Sequence, residues 1–142
     1  MKINLSVQTV AYDKRGHRIS SRETRGESSM KKYRAVIHLT EMERASLALN
    51  NVANLLTDLG EEETEVEVVA NSEGVRALSK AGPFVERIGE LARRGTRFVV
   101  CSRSLAALRM KEEEFVEDVE VVPTGTGELV KRETEGWAYV RP

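Results

Sequence analysis

The 142-residue sequence predicts an α/β protein: a three-layer α/β/α sandwich around a mostly parallel five-stranded sheet, preceded by an N-terminal β arm. Two observations predict it. From Tyr33 onward, short apolar runs alternate with segments whose apolar residues recur every three or four positions, the signature of a sheet covered by helices. The first run, YRAVIHL, is nearly continuous in its apolar character, as strands buried on both faces are.

Taken in order, the chain opens with Ile3, Leu5 and Val7 alternating with Lys2, Asn4, Ser6 and Gln8, the period of a half-exposed strand. DKRGHR then reads as a turn and ISSRETRGESS as a polar linker. Residues 1–30 are therefore expected to form an arm, and 31–142 the α/β domain. With one apolar face and no core segment of its own, the arm needs an edge strand or a neighbouring subunit to pair with.

After the strand YRAVIHL, Thr40 and Glu43 match a T-x-x-E capping box. Met42, Ala45, Leu49, Val52, Leu56 and Leu59 then mark one helix face until Gly60. EEETEVEVVA supplies a second strand, NSEGVRALSKAG a short capped helix ended by Gly82 and Pro83, and FVERIGELARRG another helix. TRFVVC is the third strand, SLAALRM the helix behind it, and KEEEF an acidic helical turn. VEVVP, GELVKR and GWAYVR complete the pattern as strand, helix and strand.

Composition bounds the function classes. No apolar stretch approaches the roughly 20 residues of a membrane helix, and the opening lacks the apolar segment of a secretory signal, so a cytoplasmic protein is expected. The near-neutral total hides an asymmetry. Residues 1–34 carry nine Lys and Arg against three Asp and Glu, and the remainder thirteen against twenty. Nucleic acid is not the expected partner of this basic arm, because Tyr12 is the single aromatic residue before Tyr33.

Chemistry points to Cys101, the single cysteine. It ends the run RFVVC and precedes a helix, where the N–H groups of Ser102, Arg103 and the residues after them stabilise a thiolate, with the Arg103 cation close by. The same residue also fits a small apolar side chain finishing a buried strand. In the first case the thiol is expected to be partly exposed and to ionise below its reference value.

His38 ends the first strand and faces the same sheet edge if the strands are parallel and in register; the alternative is a hydrogen-bonded structural residue. Asn71 and Gly74 follow the second strand, and Thr124 and Gly125 the fourth, so all four are expected to line the carboxyl end of the sheet, where open α/β folds bind ligands. PTGTGELV lacks the third glycine and acidic partner of a dinucleotide site, and a tight turn accounts for it better. No cofactor is expected. Two histidines and one cysteine at these spacings make no metal site.

The segments AVIHL, NVANLL, VEVVANSEGVRAL, GTRFVVCSRSLAAL, VEVVPTGTGELVKR and EGWAYVRP, in this order and spacing, resemble the DsrE/DsrF-like proteins, in particular their small uncharacterised branch. The resemblance runs from Tyr33 to Pro142 and leaves the arm outside. It implies a sheet of order 4-3-2-1-5, assembly into homotrimers or homohexamers, and a cysteine at the Cys101 position that carries sulfur as a persulfide between a donor and an acceptor protein. Two functions stay open at this level: a sulfur carrier, and a non-catalytic oligomeric module that binds a small ligand or a protein partner.

Overall fold

The chain divides into two units, Met1–Lys32 and Tyr33–Pro142. The computed structural model describes residues 11–12, 14–15, 18–19 and 31–142. In the first unit, β1 (Ala11–Tyr12) and β2 (Arg18–Ile19) pair antiparallel, with Ala11 opposite Ile19 and Tyr12 opposite Arg18. They bracket the turn expected at DKRGHR. The strand expected over Lys2–Val10 and the linker beyond Ile19 lie outside the described residues.

The second unit is built on five parallel strands: β3 (Tyr33–Leu39), β4 (Thr64–Ala70), β5 (Arg97–Cys101), β6 (Val119–Val122) and β7 (Ala138–Val140). Their order is β6-β5-β4-β3-β7, which is 4-3-2-1-5 counted within this unit. Every pairing is parallel.

Alternation along the strands divides the side chains between two cores. Ala35, Ile37, Leu39, Val66, Val68, Ala70, Phe98 and Val100 face α1 (Ala45–Leu59), α2 (Val85–Arg93) and α3 (Ser102–Leu108). Val36, Val69, Val99 and Val122 face Leu129 of α4 (Gly125–Thr134) and Trp137. Two helical layers therefore sandwich the sheet, with α4 forming the second.

Two local expectations are corrected. The Thr40/Glu43 capping box does not form: the chain stays extended through Glu41, and a 3-10 turn, Met42–Arg44, leads into α1 without a side-chain cap. Thr40 is engaged elsewhere, its hydroxyl accepting from Arg141 Nη2 at 3.4 Å and its carbonyl from the Gly74 N–H. The segment after β4 is a 3-10 helix, Ser72–Leu78, and Asn71 supplies no side-chain cap to it, because the Asn71 carboxamide oxygen is bonded to His38. At the far end of α1, Gly60 takes φ of +94° and closes the helix by donating to the Leu56 carbonyl.

On the α4 side, β4 buries an ionisable side chain. Glu67 is 0 % exposed and lies between two guanidinium groups, with Arg132 Nε at 2.6 Å and Arg97 Nη1 at 3.2 Å. Glu128 of α4 meets the same two arginines, at 3.3 and 3.6 Å, and Arg132 stacks on Trp137, 4.5 Å from the ring centroid. A lone carboxylate would be prohibitively costly under a helix; two arginines make it tolerable and fix α4 over β4 and β5.

Candidate functional site

Cys101 is the last residue of β5 and the N-cap of α3. Ala70 of β4 pairs with Val100 of β5, so the next residues, Asn71 and Cys101, are neighbours just past that ladder. Val69 and Val99 point to the α4 side, and alternation places Asn71 and Cys101 there too. His38 of β3 shares that side with Val36. The parallel register thus sets Asn71 beside Cys101, and His38, opposite Val69, lies one pleat back on the same side.

Two helix starts converge on the sulfur. The Ser104 N–H of α3 donates to Cys101 Sγ at 3.4 Å, and the Ser104 hydroxyl and the N–H groups of Gly125 and Arg103 also favour its charged form. Burial pushes the thiol's pKa up, but these donors outweigh it, the Ser104 hydroxyl most, and hold Cys101 below the ordinary thiol value. The expectation of partial exposure is corrected: Cys101 is 5 % exposed, because α3 and α4 both begin against it. Arg103 contributes its backbone N–H rather than its guanidinium. Its side chain instead lines a groove of about 340 Å³ with Ser72, Glu73, Ser104, Ala107 and Leu108.

The other residues read from the sequence separate into three groups. Thr124 caps α4, its hydroxyl accepting from the Gly127 N–H at 2.9 Å, and Gly125 is buried against Asn71. A Cβ at Gly125 would lie 3.1 Å from Asn71 Cβ and 3.2 Å from its Nδ2, so the missing side chain is what lets the two elements close over Cys101. Ser102 is exposed at the first position of α3. Gly74 is not a ligand-facing residue: it is buried, its N–H donates to the Thr40 and Asn71 carbonyls, and a Cβ there would sit 2.2 Å from Leu39 O. Its role is close backbone packing.

His38 is half-buried between two partners, with Nε2 3.1 Å from Asn71 Oδ1 and Nδ1 2.6 Å from the Tyr139 hydroxyl. Burial lowers its pKa, and the nearby Arg141 charge adds to that against the Asn71 bond, so the ring is neutral at pH 7. A carboxamide oxygen only accepts; Nε2 therefore carries the proton, and Nδ1 accepts from Tyr139.

Ser104 and Tyr139 escaped the sequence reading, as did the Glu67 cluster. Ser104 carries a weak sequence signal, a hydroxyl in the first turn of a helix that starts at the cysteine. Tyr139 and Glu67 carry none, because each meets its partners on other elements far along the chain. Among the described residues, no three His, Cys, Asp or Glu side chains gather as metal ligands, and no helix is long and apolar enough to cross a membrane.

This fold and site define a small parallel α/β protein with a donor-rich cysteine at a strand-to-helix junction. The chain belongs to the DsrE/DsrF-like family, whose model matches residues 31–142. Among solved structures it is similar to a protein of unknown function from Methanobacterium thermoautotrophicum, with 43 % identity and a TM-score of 0.73 over 78 % of this chain and 99 % of that one. A search of the curated proteins gives no match.

Proposed function

We propose that this protein is a cytoplasmic sulfur carrier that holds sulfane sulfur as a persulfide on Cys101. The observation that carries this reading is the convergence of the Ser104 hydroxyl and the Ser104, Arg103 and Gly125 N–H groups on one sulfur atom. The thiolate, and not the thiol, is the nucleophile, and this arrangement stabilises the thiolate.

The transfer is an exchange. The Cys101 thiolate attacks the outer sulfur of a donor persulfide, R–S–SH; the donor S–S bond breaks, a new one forms at Cys101, and R–S⁻ leaves as a thiolate. No net oxidation occurs, and a thiolate on an acceptor protein removes the sulfur by the same step. The burial of Cys101 limits donors and acceptors to molecules that dock closely. By likeness to the sulfur-relay members of the family, the working form is proposed to be a homotrimer or homohexamer.

Incubation with a small alkyl persulfide, followed by intact-mass measurement, tests the reading. The wild-type chain is expected to gain sulfur and Cys101→Ser to gain none. A thiol that reacts only in denaturant and takes up no sulfur would leave Cys101 as packing, and the chain as an oligomeric binding module.

A further inference from the structure

The geometry points to Tyr139, His38 and Asn71 as a relay that positions the Asn71 amide to hold the outer sulfur of a persulfide on Cys101. The inference rests on the sulfur-carrier reading and assigns it a binding group for the transferred atom. The three residues come from β7, β3 and the end of β4, and the hydrogen bonds between them run in one direction. The Tyr139 hydroxyl donates to His38 Nδ1 at 2.6 Å, and His38 Nε2 donates to Asn71 Oδ1 at 3.1 Å.

That direction has a consequence for Asn71. With Oδ1 taken by His38, the two N–H bonds of Nδ2 point away from the imidazole, and Nδ2 lies against Gly125, whose own N–H favours the charged form of Cys101. Asn71 also follows Ala70 as Cys101 follows Val100 in paired parallel strands, which sets the carboxamide beside the thiol. Asn71 is not among the groups that hold the thiolate itself. A persulfide adds a second sulfur about 2 Å beyond Sγ, and that atom carries the negative charge, since a persulfide is a stronger acid than its thiol. The Asn71 amide, level with Cys101 on the adjacent strand and oriented by His38, is placed for the added atom.

Tyr139 acts at one remove. Without its hydroxyl, His38 is free to carry its proton on Nδ1; Nε2 then accepts, and the Asn71 amide turns over to present its oxygen to the sulfur. Tyr139 is therefore a positioning residue. Being 40 % exposed on an edge strand, it can lose its hydroxyl with the fold intact.

Wild type, Asn71→Ala and Tyr139→Phe are compared by two measurements on the full chain, with thermal melts confirming folding. The pH profile of Cys101 alkylation reads ionisation of the thiol alone. The fraction of chain holding an added sulfur at equilibrium with a small alkyl persulfide reads the persulfide. Both variants are expected to keep the wild-type alkylation profile. The sulfur-holding equilibrium should fall about tenfold in Asn71→Ala, the scale of one lost hydrogen bond to a charged atom, and severalfold in Tyr139→Phe. Either variant holding sulfur as well as wild type overturns the relay while the sulfur-carrier reading stands. A shifted alkylation profile also overturns it, because Asn71 then acts on the thiolate. If wild type itself takes up no sulfur, both readings fall.

Discussion

At the scale of single residues, the chemistry of Cys101 is decided by competition between burial and donors. A thiol this enclosed would ordinarily stay protonated, since desolvation disfavours the charged form. The Ser104 hydroxyl reverses the balance. Its oxygen accepts the Ser72 N–H at 2.7 Å, which leaves its single proton for Sγ, and Ser72 reaches that position with φ of +52°, a conformation that costs a non-glycine residue free energy. Ser104→Ala is expected to raise the Cys101 pKa, because the largest of the groups that lower it is lost. Alkylation at pH 7 should slow about three- to tenfold, and Ser104→Thr should restore most of the rate. An alkylation profile that is unchanged in Ser104→Ala would remove the hydroxyl from the account.

At the scale of elements, the site depends on how closely the chain after β4 approaches the chain after β3. The 3-10 helix Ser72–Leu78 seats on Leu39 and Thr40 because Gly74 has no side chain, and its start sets both Asn71 and the Ser72 N–H. Gly74→Ala places a methyl group 2.2 Å from a backbone oxygen, which no rotamer change relieves. The expected loss is about 2 kcal/mol or more, read as a lower urea midpoint at unchanged slope. Cys101 alkylation should change with it, because the displaced turn carries the Ser72 donor. Gly95, with nothing within 4 Å of a Cβ though at φ of +101°, serves as the comparison in which strain acts without a clash.

For the molecule as a whole, the Glu67 cluster ties stability to pH. Burial, reinforced by Glu128 and opposed by Arg132, pushes the Glu67 carboxyl up to about 7, while the two arginines and the bond from Glu67 hold Glu128 low against its own burial. Between about 4.5 and about 7 the folded chain keeps a proton at Glu67 that the unfolded chain has released. The stability this proton contributes is complete below that window and is lost as pH rises through it. Glu67→Gln keeps a neutral hydrogen-bonding group, so its melting temperature is expected to gain on wild type as pH rises from 5 to 8. A constant difference across that range would show that Glu67 is ionised throughout. Assembly belongs to the same scale. Residues 1–34 are basic and the remainder acidic, and removal of residues 1–29 is expected to weaken the proposed oligomer. Light scattering on the full and shortened chains checks this, and equal masses would exclude the arm from the interface.

What the sequence determined by itself was the layered architecture and the place of the cysteine in it. Continuous apolar runs and three- to four-residue periodicity are local consequences of burial, so the five strands, the long helix from Ala45 to Leu59 and the strand-to-helix junction at Cys101 were all legible along the chain. Tertiary structure alone decided which groups surround that cysteine. Ser104 acquires its direction from Ser72, thirty-two residues earlier; Tyr139 meets His38 across 101 positions; and Glu67 finds Arg132 across 65. Thr40 matched a capping box in sequence yet bonds to Arg141, and Gly74 looked available to a ligand yet is closed by Leu39. A hydrogen-bonding side chain takes whichever partner the packed sheet brings within about 3 Å, and one-dimensional spacing records only the partners on its own element.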